Sequence, residues 1–379
     1  MVNRRACILG ALVADAATMG FHWLYSQEKI QSLASVSPEF YTPTEEDYKG
    51  LGYFAHANKS VGEFSHYGEQ SLVMLTALDN NNGEYDKQVY QDAFRDHFGY
   101  GGGHVGYIDR PTRQTLDNIY RGESDRLHAA NNIAFDGKNR KGLLIKVLAA
   151  AKLHQGDRLR SHVEAIADRE LNSEESKRYV LTLIDAISAN DGYPGADDDQ
   201  LPAISQLPAL LARHYDSDQL HAYSESSIKV TNNNSRAIDF GKVATHLLKN
   251  LLEGHSVNQS IENAVESGSE KTQTYLNTGL SSDSDLLGLT KEFGMNCDVG
   301  SGMVSVLANL RASTSYADAI RANIYAGGDN CGRSTLLGAA AGIHYGVGGE
   351  HGIPVEWIEK VSQSKTILEQ IDLVLKQKV

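Results

Sequence analysis

The sequence predicts an all-α fold, and three observations lead there. Apolar residues recur at three- and four-residue spacing through most of the chain, the signature of helices with one buried face. No run alternates apolar and polar residues long enough to make a sheet. Polar, glycine-containing breaks punctuate the periodic segments, dividing the chain into about a dozen helices. The 379 residues show no fixed-period repeat and no Pro/Ser-rich linker, so the expectation is one compact multi-helix domain over 1–379.

The first segment, residues 5–20, reads as an Ala- and Gly-rich helix carrying Asp15 among apolar neighbours. A carboxylate there needs a partner, a metal or a proton. Arg4 and Arg5 before the apolar run, and Ala14-Asp15-Ala16 after it, imitate a secretory leader. Asp15 interrupts the run and more small apolar residues follow, so the reading is a retained buried helix, with secretion as the lesser alternative. The cluster Phe21-His22-Trp23-Leu24-Tyr25 closes it, either as core packing or as a platform for a flat or sugar-like ligand. Residues 36–66 carry prolines and glycines but little helical period, and Tyr41, Tyr48, Tyr53, Phe54 and His56 mark this long loop as a site wall. Ser65-His66-Tyr67-Gly68-Glu69-Gln70-Ser71 then opens a strong helix, with Glu69 and Gln70 in the first turn, where the helix dipole favours a carboxylate.

Residues 87–98 are helical, and Gly101 to Gly106 match GxGxxG in form. No strand precedes them, so a dinucleotide fold is excluded by context and a site loop or linker remains. Asp109-Arg110-Pro111-Thr112 starts the next helix, and 121–142 read as polar and exposed. A helical pattern over 143–189 ends at Gly192, before the triplet Asp197-Asp198-Asp199, which is a solvated loop or cap unless it touches ligand and which lacks calcium-loop spacing. Pro202 begins a further helix through Leu211. The polar turn Thr231–Arg236 leads into an apolar helix, and helices follow over 256–268 and 284–293. Gly294 to Gly300 is a small polar break around Cys297, and Pro354 fits the first position of a helix.

Ala326-Gly327-Gly328-Asp329-Asn330-Cys331-Gly332-Arg333-Ser334 lies between two apolar helical patterns. It reads as a polar elbow at a helix entrance. Such ends attract anions, yet the commoner task of Asp329 or Asn330 there is to cap the helix. Leu336 to Ile343 is small and apolar, which lets this helix approach other backbones closely.

Composition bounds the function. Lys+Arg total 35 and Asp+Glu 48, a formal charge of −13, which argues against a broad nucleic-acid or anionic-membrane surface while leaving room for a local phosphate pocket. No apolar run reaches the about 18 residues that span a bilayer. Three cysteines, none in a CxxC, fit a reducing cytoplasmic setting. The fourteen histidines show no HExxH spacing, so a structural zinc site is not expected.

The N-terminal helix with Asp15, the helix opening at Tyr67-Gly68-Glu69-Gln70-Ser71 and the Gly327–Arg333 elbow occur in the order of the hallmarks of the ADP-ribosylglycohydrolase family, which the chain resembles from Ala6 to Trp357. Ala11 to Ala17 and His22-Trp23-Leu24-Tyr25 are similar to a divergent branch that includes the J-type crystallins. The resemblance implies an all-α bundle and cleavage of glycosidic bonds of ADP-ribosyl groups with a pair of magnesium ions. The departures alter that expectation. Thr-Asp-Asp-Thr of the hydrolases is Gly68-Glu69-Gln70-Ser71 here, and Gly-Gly-Asp-Thr-Asp-Thr has become Gly327-Gly328-Asp329-Asn330-Cys331-Gly332 followed by Arg333. Two carboxylates, Glu69 and Asp329, stand where the hydrolases have four. A thiol is a poor magnesium ligand, whereas a guanidinium pairs carboxylates without a cofactor.

The expectation is therefore a site with no metal, in which Arg333 lies close to Glu69 and Asp329 and replaces the cationic centre. On the enzymatic reading it hydrolyses an N- or O-glycosidic bond of a ribosyl-type substrate through an oxocarbenium-like transition state. Glu69, Asp329 and Arg333 are the catalytic candidates. Asp15, His22, Trp23, His66, Tyr67, Gln70, Asp198 and Asn330 are the substrate-binding candidates, with His66 or His22 as the acid. Trp23, Tyr53, Tyr67 and Tyr107 are candidates to stack a base or sugar. The implied partner is a small ribosyl or nucleotide-like ligand, and the small-residue helices allow a homo-oligomer. The alternative is a non-catalytic, crystallin-like structural or ligand-binding protein that keeps the fold.

Overall fold

The computed structural model describes residues 2–132, 142, 145–147, 156–170, 174, 177–178, 180–181 and 193–376. The expected helical positions Leu143, Leu144, Leu148, Leu183, Ile184 and Ile187 lie outside the described residues. Every regular element described is a helix. In chain order these are α1 (Val2–Thr18), α2 (Gln27–Leu33), α3 (Glu45–Tyr48), α4 (His66–Asn80), α5 (Lys87–Phe98), α6 (Arg110–Asn132), α7 (Gly156–Glu170), α8 (Leu207–His214) and α9 (Leu220–Thr231). Then follow α10 (Ser235–Leu252), α11 (Val257–Ser267), α12 (Glu270–Leu280), α13 (Leu286–Phe293), α14 (Val299–Ala312), α15 (Tyr316–Tyr325), α16 (Asn330–Tyr345), α17 (Val355–Lys360) and α18 (Ser364–Lys376).

The starts of these helices follow from sequence. Ser65, Asp86, Asn234, Ser256, Ser269, Asp285, Asp298, Ser315 and Asp329 each precede a helix and accept a backbone N–H of its first turn. That interaction satisfies donors which have no partner inside the helix. Two boundaries differ from expectation. The polar stretch after Arg121 continues α6 to Asn132. Pro202 sits in a 3-10 turn, Leu201–Ile204, and α8 begins only at Leu207.

Two compact units make up the chain, Met1–Leu116 with Pro194–Val379, and Asp117–Tyr193. In the second, Ile119, Val163, Ile166 and Val180 are buried, and Gly122 packs on the ring of Tyr193.

The core of the first unit is the pair α1 and α16. A Cβ on Gly10 would lie 2.2 Å from the Gly338 carbonyl oxygen, and one on Gly338 would lie 2.3 Å from that of Gly10. The backbones themselves touch, as the small residues of both segments predict. Tyr316 of α15 closes the contact by donating to the Gly10 carbonyl at 2.6 Å. Residues 6–9 and 11–17 are buried, so this segment is part of the core. α4 packs on both α1 and α16. The three hallmark segments of the sequence thus converge. Among the described residues no helix is long and apolar enough to cross a membrane, and Cys7, Cys297 and Cys331 are free thiols.

Candidate functional site

The elbow before α16 turns on Gly327 and Gly328, with φ of 72° and 65°, in the left-handed region that costs other residues strain. The turn aims Asp329 back over its own helix, where Oδ1 accepts the Gly332 N–H at 3.1 Å. The expected cap is therefore present, and it carries more. His22 Nε2 lies 2.8 Å from Oδ1, and the Tyr67 hydroxyl donates to Oδ2 at 2.6 Å. Asp329, His22 and Tyr67 are wholly buried. Burial alone would raise the Asp329 carboxyl, but the hydrogen bond from His22, with those from Tyr67 and Cys297, holds it below the usual carboxylate range.

The same carboxylate fixes two tautomers. A carboxylate only accepts, so His22 Nε2 carries the proton. Burial lowers the His22 pKa, leaving a neutral ring whose Nδ1 must accept. His56 Nε2 stands 2.7 Å from that Nδ1 and is the donor. Burial lowers His56 further, with the neighbouring His22 adding to the effect, so its Nδ1 is a lone pair. The chain Asp329–His22–His56 runs from the core to a half-buried ring on the loop before α4.

Trp23 next to His22 adopts φ of 61°, a conformation that costs a non-glycine residue about 1 kcal/mol or more. Its N–H bonds the Gly328 carbonyl at 2.8 Å, and its carbonyl accepts from Tyr53 N at 3.1 Å. Elbow and loop thereby hold the strained residue between them. The indole meets Tyr107 edge-on at 4.9 Å and lies 5.9 Å from Tyr53 and 5.8 Å from His66, ring centre to centre. His66 Nε2 lies 3.1 Å from Asp109 Oδ2, an ion-pair distance. The loop of 36–66 brings Tyr53 against Trp23 and His56 against His22.

The remaining candidates divide away from this centre. Glu69 is bound by Lys59 Nζ at 3.1 Å and His97 Nε2 at 2.9 Å; burial raises its carboxyl, but these partners outweigh it and hold the pKa below the ordinary value. Among the described residues no hydrogen bond or ion pair joins it to Asp329 or Arg333. Arg333 is fully buried in a polar cage: Nε donates to Asn323 Oδ1 at 2.8 Å and Nη2 to the Gly327 carbonyl at 2.5 Å. Among the described residues no carboxylate lies within ion-pair distance of it. The expected Glu69–Asp329–Arg333 cluster is thus corrected: the guanidinium clamps the elbow backbone, because its short path leads to the carbonyls of its own turn.

Asp15 accepts Ser65 N at 2.8 Å and the Ser65 hydroxyl, tying α1 to the cap of α4, and burial raises its pKa to about 7. Gly68 is required beside it, since a Cβ there would fall 2.3 Å from Asp15 Oδ2. Gln70 donates to Thr112 at 3.1 Å. Asp198 pairs with Arg110 and accepts Gln200 N at 2.9 Å. Asn330 is buried with no hydrogen-bond partner for its amide among the described residues. Cys331 is buried against the Thr18 hydroxyl at 3.3 Å.

Sequence reasoning named none of His56, Cys297 and Asp109 as a catalytic or binding candidate. His56 had only its place in an aromatic loop as a signal, and Cys297 only a polar break between two helices. Neither of two sizeable cavities is lined by Asp329: one of about 1530 Å³ borders Arg236, Phe240, Lys242, His246 and Tyr275, and one of about 650 Å³ borders Lys59, Glu69 and His97.

A helical core in which an N-terminal helix, a Glu-bearing helix start and a Gly-Gly-Asp elbow meet defines the class. The chain belongs to the ADP-ribosylglycohydrolase family, whose model matches residues 3–378. It is similar to Crystallin J1A of Tripedalia cystophora, 24% identical over 98% of this chain and 97% of the crystallin. It is also similar to Crystallin J1B of the same organism, 23% identical over 98% and 96%. A solved ADP-ribosylglycohydrolase-related protein complex shares the fold with a TM-score of 0.64, at 12% identity and covering 100% of this chain and 98% of that one.

Proposed function

We propose that the protein hydrolyses an N- or O-glycosidic bond of a ribosyl-type small molecule at the Asp329–His22–His56 chain. The observation that carries this is the pair of short contacts, His22 Nε2 to Asp329 Oδ1 at 2.8 Å and His22 Nδ1 to His56 Nε2 at 2.7 Å; the tautomers inferred from them leave His56 Nδ1 as a base with a buried anion behind it. Water gives a proton to His56 Nδ1, and the His56 Nε2 proton passes to His22 Nδ1. The positive charge then rests on His22 against Asp329, the arrangement by which a buried carboxylate supports a catalytic histidine. His66, beside Asp109, is the acid for the leaving atom, and Trp23, Tyr53 and Tyr107 are the stacking surface for the sugar or base.

The residues present do not fit a magnesium pair. Both Asp329 oxygens are taken by donors, Cys331 offers a buried thiol, and Glu69 is bound elsewhere. No step is therefore assigned to magnesium.

The test is hydrolysis of a panel of ADP-ribosyl conjugates, nucleosides and ribosides, followed as released sugar. His56→Gln and His22→Gln should each lower kcat about 10²- to 10⁴-fold and remove the acidic limb of the pH–rate profile. Turnover that survives both variants refutes the assignment.

One observation favours a second reading, a non-catalytic role like that of the crystallins it resembles: the Asp329 carboxylate is fully committed to the protein itself. On that reading ADP-ribose and ribosides raise the melting temperature, or nothing does, and none is cleaved.

A further inference from the structure

We propose a second, separate site: a single divalent transition-metal ion of the zinc class held by Glu69, His97 and His104. Donor atoms of these three side chains all lie within 4.8 Å of one another. His97 Nε2 is 2.9 Å and His104 Nδ1 3.9 Å from the Glu69 carboxylate. Ligands about 2.0–2.2 Å from a tetrahedral zinc ion stand about 3.3–3.6 Å apart, so side-chain shifts that close no pair by more than about 1.5 Å complete the set.

The tautomer of His104 supplies the second observation. Its Nε2 lies 3.1 Å from the Tyr107 carbonyl, an acceptor, so Nε2 carries the proton and Nδ1 is a lone pair. Among the described residues that nitrogen has no hydrogen-bond partner; it belongs to a side chain only 3% exposed and faces an anionic carboxylate oxygen. Two acceptors turned toward each other in a buried place repel unless a cation lies between them. A histidine whose far N–H is fixed by a backbone carbonyl is also how metal-binding imidazoles are oriented.

In the protein without metal, Lys59 serves Glu69 as cation: its ammonium is 3.1 Å from Oε1, with the side chain 7% exposed. The ion displaces it into the 650 Å³ cavity that Lys59, Glu69, His97 and Gly103 line. Two imidazoles and one carboxylate suit zinc, cobalt or iron(II) and disfavour magnesium, which takes oxygen ligands. The site shares only Glu69 with the motif positions discussed above and does not involve Asp329. It stands or falls independently of the proposed hydrolysis.

The test is calorimetric titration of the chelator-stripped full chain with zinc chloride, and with cobalt chloride read by its visible bands. One equivalent should bind, with tetrahedral cobalt bands, and excess magnesium should not compete. His104→Gln, His97→Gln and Glu69→Gln should each weaken binding about tenfold or more. Lys59→Ala should tighten it, which no loss of folding can imitate. Absence of stoichiometric binding, or binding indifferent to both His104→Gln and Lys59→Ala, overturns the proposal.

Discussion

Replacing Asp329 with Asn measures how far this carboxylate organises the site. Asp329 receives buried hydrogen bonds from His22 Nε2, Gly332 N and Tyr67 Oη, and a further one from the Cys297 thiol. An amide has one oxygen for them. With that oxygen toward His22 and Gly332, its NH₂ meets the Tyr67 hydroxyl, which must then donate elsewhere and finds only protein. Bonds to a charged acceptor contribute about 1.5–3 kcal/mol against about 1 for neutral ones. Weakening two and losing one costs roughly 2–4 kcal/mol after relief of the buried charge. Melting should fall by about 2–5 °C in calorimetry at pH 7, since about 2.1 cal/mol/K per residue gives this chain an unfolding entropy of about 0.8 kcal/mol/K. Because the folded-state pKa lies below the unfolded one, the carboxylate stabilises above about pH 4, and its advantage shrinks as the pH falls below that. The parent–variant gap should narrow in acid. A change under about 0.5 kcal/mol would refute the network as a structural hub, and a stabilisation would mark the anion as kept for function at a stability cost.

Three further outcomes are expected. Asp15, raised by burial to about 7, binds its proton more tightly when folded, so its contribution is full below about pH 4 and is lost as the pH rises to about 7, at up to roughly 1.4 kcal/mol per pH unit; urea unfolding should show Asp15→Asn flattening that slope. Gly338→Ala forces a methyl to within 2.3 Å of the Gly10 carbonyl oxygen and 2.4 Å of the Ala14 Cβ, and should cost about 2–3 kcal/mol by denaturant titration. Arg333→Lys keeps the charge but not the fork joining Asn323 to Gly327, so it should destabilise by about 2 kcal/mol or more; activity lost at unchanged stability would instead make Arg333 a catalytic group.

The helical architecture, the buried first segment and the capping role of Asp329 are all legible in the sequence, because each rests on local chemistry. Periodicity, cap residues and small-residue stripes depend on neighbours a few positions apart, and they give the same answer whatever the rest of the chain does. The hallmark segments also name the elements that meet, α1, α4 and α16.

Which side chains share a centre is a different matter, since it depends on directions set by packing. Glu69 and Gly68 are adjacent in sequence, yet Gly68 touches Asp15 while Glu69 bonds Lys59 and His97. A helix turns about 100° per residue, so neighbours along it face different partners. Arg333 stands four residues from Asp329, and its long side chain returned to the carbonyl of Gly327 instead of reaching across to a carboxylate. His56 reached the Asp329 network only because the strained Trp23 backbone draws loop and elbow together. The sequence by itself determined an all-α member of its family with altered motif carboxylates. Only the tertiary structure decided that Asp329 joins a two-histidine chain, that Glu69 belongs to another cluster, and that the arginine holds the elbow, because residues distant in sequence become partners only when packing fixes where each side chain points.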